Sequence, residues 1–239
     1  MNFVPLRDSF SNRFWQSNHV AAEREILKYY PIFLDIRDKK CVIVGGGEVA
    51  ARNAERLLDC GAKVFVISPQ LTPALAALKE KDIICHIAAE YTGDLIHGAT
   101  LVIGATDDEK INATISFDAR NKGIPVNIVD DPQKCDFILP SLMQRGDLAI
   151  TIGTAGKSPA LARHLREELE AKYGREYEIF LNILGSLRAK MVKNAGVDKN
   201  WVKLLLAAGM LDSIREKDWE KVKKTVQKIT GEEVEVEFD

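Results

Sequence analysis

The ten residues Cys41–Ala50, CVIVGGGEVA, constrain the fold of this chain more than any other stretch. Four apolar residues ended by three glycines describe a strand buried on both faces, the kind found in parallel sheets covered by helices. Gly45-Gly46-Gly47-Glu48-Val49-Ala50 then fits the G-x-G-x-x-A turn from a strand into a helix. In that turn the first glycine permits the sharp bend and the second lets the backbone approach a pyrophosphate. The small last residue lets helix and strand pack closely. Unpaired N–H groups and the positive dipole end of the helix stabilise the phosphates. Gly45, Gly47, Glu48, Val49 and Ala50 are therefore candidate dinucleotide-binding residues.

The pattern continues in alternation. Val49–Cys60 has helical spacing, Lys63–Ile67 reads as a strand, Pro73–Lys81 as a helix and Ile83–Ile87 as a third strand. Leu101–Ala105 and Pro125–Val129 are further strands with a helix, Ile111–Lys122, between them. Repeated β-α-β units joined by right-handed crossovers predict an α/β fold, a Rossmann-like doubly wound parallel sheet, over about residues 31–147. Leu148–Ile152 is one more strand. Ser158-Pro159 opens a helix to about Tyr173, with serine as N-cap and proline at the first helical position. Residues 175–239 carry helical periodicity, expected as three helices in a small C-terminal domain. Residues 1–30 are polar with scattered aromatics and read as an N-terminal arm.

At the end of the second strand, where an acidic residue would hold a ribose hydroxyl, stands Ser68-Pro69-Gln70. Ser68 or the backbone could bond the ribose, and no arginine is placed for a 2′-phosphate, so NAD is preferred over NADP. Thr106, after the fourth strand, is a candidate for cofactor contact; of Asp107 and Asp108, at least one is expected to cap the next helix. Gly153–Ser158 ends in GKS but lacks the first glycine of an ATP phosphate loop, and Pro159 removes a donor, so nucleotide hydrolysis is rejected. What is left there is an anion-accepting helix start with Lys157, Arg163 and Arg166 close by.

The formal charge of −2 gives no whole-chain case for nucleic acid. Four cysteines without a CxxC pair suggest neither zinc nor disulfides. The four histidines have no metal-ligand spacing, so no metal site is expected. With no secretory pattern and no run of about 18 apolar residues, the reading is a cytoplasmic protein without a membrane span.

Several motifs line up in order over about residues 30–170: Tyr30-Pro31-Ile32-Phe33-Leu34, Cys41–Ala50, and Gly104-Ala105-Thr106-Asp107-Asp108 followed by Asn112. Then come Val126-Asn127-Ile128-Val129-Asp130, Asp136-Phe137-Ile138-Leu139-Pro140-Ser141, and Gly156-Lys157-Ser158-Pro159 with Leu161-Ala162-Arg163. With these the chain resembles the precorrin-2 dehydrogenases of sirohaem synthesis, some of which are also sirohydrochlorin ferrochelatases. The resemblance implies an NAD-dependent oxidation of the tetrapyrrole precorrin-2 to sirohydrochlorin. It also implies a homodimer that exchanges its central region, residues 148–174. Asp130 matches the family's key aspartate, and Asn127 would orient cofactor or substrate. Thr154, Lys157, Ser158 and Arg163 would meet the tetrapyrrole, with Thr154 where some relatives carry a regulated serine. Whether Fe²⁺ is also inserted stays open. The chain carries no methyltransferase module, so uroporphyrinogen methylation is not expected. Read without the resemblance, Asp130 sits where doubly wound sheets place their ligands, but Asp130-Asp131-Pro132 is also good turn chemistry. A non-catalytic, redox-sensing NAD module is the alternative.

Overall fold

A computed structural model describes residues 28–191 and 200–235. Of the expected N-terminal arm, residues 1–27 lie outside the described residues. Residues 28–34 form no helix or strand.

Five parallel strands build the main sheet: β1 (Lys40–Val44), β2 (Lys63–Ile67), β3 (Cys85–Ile87), β4 (Leu101–Gly104) and β5 (Val126–Ile128), in the order β3-β2-β1-β4-β5. Helices α1 (Glu48–Asp59), α2 (Pro73–Glu80) and α3 (Glu109–Asn121) connect them. The apolar run of β1 is divided between two cores, because successive side chains leave opposite faces of a strand. Cys41 and Ile43 join Val64, Val66 and Ile103 against Ala50, Ala54 and Leu57 of α1 and Leu75 of α2. Val42 and Val44 join Ile67, Val102, Val126 and Ile128 against Ile115 and Ala119 of α3. Each fully buried valine or isoleucine stabilises by about 1.5–3 kcal/mol. The alanines on α1 matter for another reason: without bulk, they let its first turn sit tightly over the end of β1. Burial also pushes the Cys41 thiol up to about 11, as suits an inert core residue.

After the sheet comes a hairpin, β6 (Ser141–Arg145) antiparallel to β7 (Leu148–Ile152), turned by Gly146 (φ 55°) and Asp147. Strand β7 coincides with the strand expected at Leu148–Ile152, whereas β6 has no counterpart among the expected strands. Helix α4 (Pro159–Lys172) follows, capped as expected by Ser158, whose hydroxyl accepts from the Leu161 N–H at 3.2 Å. Arg145 joins hairpin to helix, donating to the carbonyls of Tyr173 (3.0 Å) and Glu170 (3.1 Å) at the C-terminal end of α4.

The C-terminal region differs from expectation. Instead of three helices, four are described: α5 (Arg175–Met191), α6 (Trp201–Ala207), α7 (Met210–Arg215) and α8 (Trp219–Thr230). The helix not expected is α7, which Gly209, at φ 74°, separates from α6. Their apolar faces meet in one cluster built on Phe180, Ile183, Leu187, Leu205, Met210, Ile214, Val222 and Val226. Beside it the Glu176 carboxylate, with a side chain only 10% exposed, accepts from Arg215 at 2.8 Å. Burial raises the Glu176 carboxyl, but the guanidinium and backbone donors outweigh it and hold it below the usual glutamate value. A lowered folded-state value stabilises above the unfolded value and stops doing so as pH falls through the folded one. Glu176→Gln should therefore cost about 1 kcal/mol at neutral pH, and urea melts should show that gap closing in acid.

Candidate functional site

The strand order reverses direction between β1 and β4, so a crevice opens beyond their carboxyl ends. Val44, Gly104 and Ile128 stand side by side across β1, β4 and β5. The three strands thus finish level, and the ends of β1 and β5 lie two strand spacings apart, about 10 Å. The glycine turn after β1, Ser68–Gln70 after β2, Thr106 after β4 and Asp130 after β5 all follow these carboxyl ends.

Gly45 leaves β1 at φ 125°, its N–H bonded to Ile67 O at 2.9 Å. A Cβ there would lie 2.2 Å from Ala105 O. Gly46 is tighter still, since its Cβ would meet Gln70 O at 1.9 Å and Ser68 Oγ at 2.5 Å, while its carbonyl accepts from Thr72 N at 2.9 Å. Gly47 is the opposite case: it has ordinary extended backbone (φ −85°, ψ −176°), and a Cβ would meet nothing within 4 Å. The turn is therefore clamped on two sides and open on the third. Gly47 caps α1 without a side-chain hydrogen bond, Ala50 is fully buried beneath it, and Glu48 and Val49 form the first turn. An open backbone with uncapped helix donors fits a pyrophosphate. Gly46 was not among the residues singled out from sequence, where three consecutive glycines look alike.

Ser68 proves to be part of this clamp. Its hydroxyl donates to Gln70 O at 2.6 Å, it is 8% exposed, and its carbonyl is met by His86 Nε2 at 2.8 Å. Pro69 and Gln70 are exposed at the rim. On the β4 side, Thr106 Oγ1 donates to Asn112 Oδ1 at 2.9 Å, and Asn112 Nδ2 donates back to Thr106 O at 2.8 Å. Asn112 thus locks the Thr106 loop, a role the sequence motif did not reveal. Asp108 is the cap of α3, accepting from Lys110 N (2.8 Å) and Ile111 N (3.1 Å).

Beyond β5, Asp131 N bonds Ile128 O at 3.2 Å, closing a turn in which Asp130 adopts φ 61°. Left-handed backbone is unfavourable for residues with a Cβ and is stored mostly where surrounding structure holds it. The two adjacent acids divide their work. Asp131 accepts from Lys134 Nζ at 2.5 Å and caps the short 3₁₀ turn Pro132–Lys134, and Lys134 holds its carboxyl below the usual range. Asp130 is exposed and, among the described residues, has no side-chain hydrogen bond or ion pair. Asn127, 8% exposed, donates to Phe137 O at 2.9 Å.

Thr154, Lys157, Ser158 and Arg163 form a second group, on the hairpin layer rather than the sheet edge. Thr154 Oγ1 donates to Ser158 O at 3.2 Å, and Ala155 (φ 51°) and Gly156 (φ 81°) turn the chain between them. Arg163 pairs with Glu167 at 3.2 Å on a well-exposed surface, and Lys157 is exposed. Leu139, Leu142 and Leu161 are 40%, 43% and 49% exposed on the same layer. Among the described residues, no group of three or more His, Cys, Asp or Glu could hold a metal ion. No described helix is long and apolar enough to cross a membrane.

Residues 32–141 match a family model described as NAD(P)-binding, and residues 145–172 match one for the central region of the sirohaem biosynthesis protein. The siroheme synthase of Photobacterium profundum is 39% identical over 167 residues, 70% of this chain and 36% of that protein. Siroheme synthase 1 of Aeromonas salmonicida is 43% identical over 165 residues, 69% of this chain and 35% of that one. Siroheme synthase 2 of Yersinia enterocolitica is 35% identical over 207 residues, 85% and 44% respectively. The chain thus spans less than half the length of these relatives. A solved structure named SirC, precorrin-2 dehydrogenase, superposes with a TM-score of 0.68 at 23% identity, over 85% of this chain and 100% of that one. It shares the fold.

Proposed function

We propose that this chain, whose residues 32–141 match a model described as NAD(P)-binding and whose residues 145–172 match one for the central region of the sirohaem biosynthesis protein, oxidises precorrin-2 to sirohydrochlorin, with NAD⁺ as the oxidant. The observation that carries the reading is Asp130, an exposed carboxylate with no partner among the described residues, held in left-handed backbone at the strand end level with the glycine turn. The backbone of Gly45–Ala50 would hold the pyrophosphate over the open side of Gly47. Ser68, through its backbone, together with Pro69 and Gln70, would line the adenosine side. Thr106 and Asn127 border the other. When bound, NAD⁺ supplies the acceptor for the hydride that the substrate loses. Asp130 accepts the accompanying proton from the macrocycle, so that precorrin-2 gives up two electrons and two protons in all.

Lys157 and Arg163, with Thr154 and Ser158 at the start of α4, offer cationic and hydroxyl partners for the substrate's carboxylates. The exposed leucines of the hairpin layer support a homodimer in which that layer is covered by a second copy. We place the protein in the cytoplasm. Fe²⁺ insertion into the product, with release of two pyrrole protons, is a further reaction the same Asp130 could serve, the metal being substrate. The test is incubation with precorrin-2 and NAD⁺. Appearance of NADH absorbance together with the sirohydrochlorin spectrum is expected, and neither would appear if the reading is wrong.

A further inference from the structure

We propose that Cys135 is a positioning residue for this reaction, its thiol clasping the turn that presents Asp130. The inference rests on the reading of Asp130 given above. Strand β5 is the last of its sheet, paired on one side only, with β4. Val129 N bonds to Gly104 O at 2.9 Å, so the N–H and C=O of Ile128 point the other way, off the sheet. The returning chain answers them with side chains as well as backbone. Asp136 N donates to Val126 O at 2.8 Å, and Asp136 Oδ2 accepts from Val126 N at 3.3 Å. One step closer to the site, Cys135 Sγ accepts from Ile128 N at 3.2 Å and lies 3.2 Å from Ile128 O and 3.1 Å from Asp131 O.

A single sulfur thus touches the first and last residues of the turn Ile128–Asp131, with Asp130 between them. It also lies 3.5 Å from Asn127 Nδ2. A neutral thiol can donate one hydrogen bond and accept others. Burial pushes the Cys135 thiol up, keeping its proton in place at neutral pH. Around this clasp, Lys134 is pinned by Asp131 and by Ser116, whose hydroxyl donates to Lys134 O at 3.0 Å, and Arg120 pairs with Asp136 at 3.0 Å. The sulfur is the side-chain group of this network that reaches both ends of the turn, reinforcing the backbone bond from Asp131 N to Ile128 O. Without it, the Asp131 N–H to Ile128 O bond of 3.2 Å is left alone on that side to oppose relaxation of Asp130 out of its left-handed conformation, and the Ile128 N–H loses its acceptor.

The experiment uses the full chain as Cys135→Ala and Cys135→Ser, assayed beside Asp130→Asn. For Cys135→Ala we expect kcat with precorrin-2 to fall about tenfold, a loss equivalent to about 1.4 kcal/mol, with KM and the affinity for NAD⁺ unchanged. Amide exchange at Ile128 should accelerate at least as much, since its N–H loses its acceptor. Cys135→Ser keeps a donor and acceptor on a shorter bond and should recover most of both losses. A Cys135→Ala protein with wild-type kcat overturns the proposal. So does a loss shared equally by NAD⁺ affinity and thermal stability, which a merely structural thiol would give. If Asp130→Asn keeps full turnover, the reading of Asp130 fails on that result. Exchange at Ile128 then reports separately whether the clasp exists.

Discussion

Asp130→Asn binds NAD⁺ as the unmodified protein does and forms NADH from precorrin-2 about 100-fold more slowly, the loss expected when a positioned proton acceptor is removed. Asparagine keeps the size of the side chain and tolerates left-handed backbone, so the turn should survive. Asp130→Gly sharpens the test. Glycine removes the strain at φ 61°, a gain of about 1 kcal/mol, set against a similar entropic cost from the more flexible unfolded chain. Its thermal midpoint should therefore equal or exceed that of the original protein while turnover is lost. A residue kept only for turn formation would give the reverse, with Asp130→Gly at least as active. A non-catalytic NAD-binding sensor would leave NAD⁺ binding and its readout unchanged in both variants. Titration of NAD⁺ by fluorescence, NADH formation and thermal melts together decide among these.

The second large effect separates two neighbouring glycines. Gly46→Ala should destabilise the fold by about 3 kcal/mol, because its Cβ would sit 1.9 Å from Gln70 O, a backbone atom that cannot rotate away. The Ser68–Gln70 turn would have to move, and with it the end of β2. Gly47→Ala meets nothing within 4 Å and needs no unusual backbone, so its melting should be unchanged. The added methyl instead stands on the open side of the turn, where a pyrophosphate would approach. NAD⁺ affinity should drop about tenfold or more, equivalent to about 1.4 kcal/mol. Equal melting losses in the two variants would show that the open side of the turn is not a ligand face.

The sheet was legible from the chain because its inner strands are apolar on both faces, most clearly Cys41–Val44, which stops at Gly45. The first hairpin strand was harder. Ser141–Arg145 holds only Leu142 and Met143 as apolar residues, and its clearest signal was the Gly146-Asp147 turn that follows. At the site, position was readable but direction was not. Ser68 stands where a ribose partner belongs, yet the turn of Gln70 draws its hydroxyl inward. Asp130 and Asp131 are identical residues in sequence, and what distinguishes them is Lys134 and Cys135, brought back by the 3₁₀ turn. In sequence the cysteines suggest only thiols without zinc or disulfide partners. That description suits Cys41, whereas Cys135 makes hydrogen bonds whose value depends on a fold-back that no local pattern announces.

That fold-back has a consequence at the level of the whole sheet. An outermost strand normally offers a row of open N–H and C=O groups to which a foreign strand can add. Here residues 135 and 136 already occupy that row along β5, and the opposite margin, β3, is only three residues long. Neither margin of this sheet offers a long open template, so the ends of its strands can stay open to ligands while its sides resist strand addition.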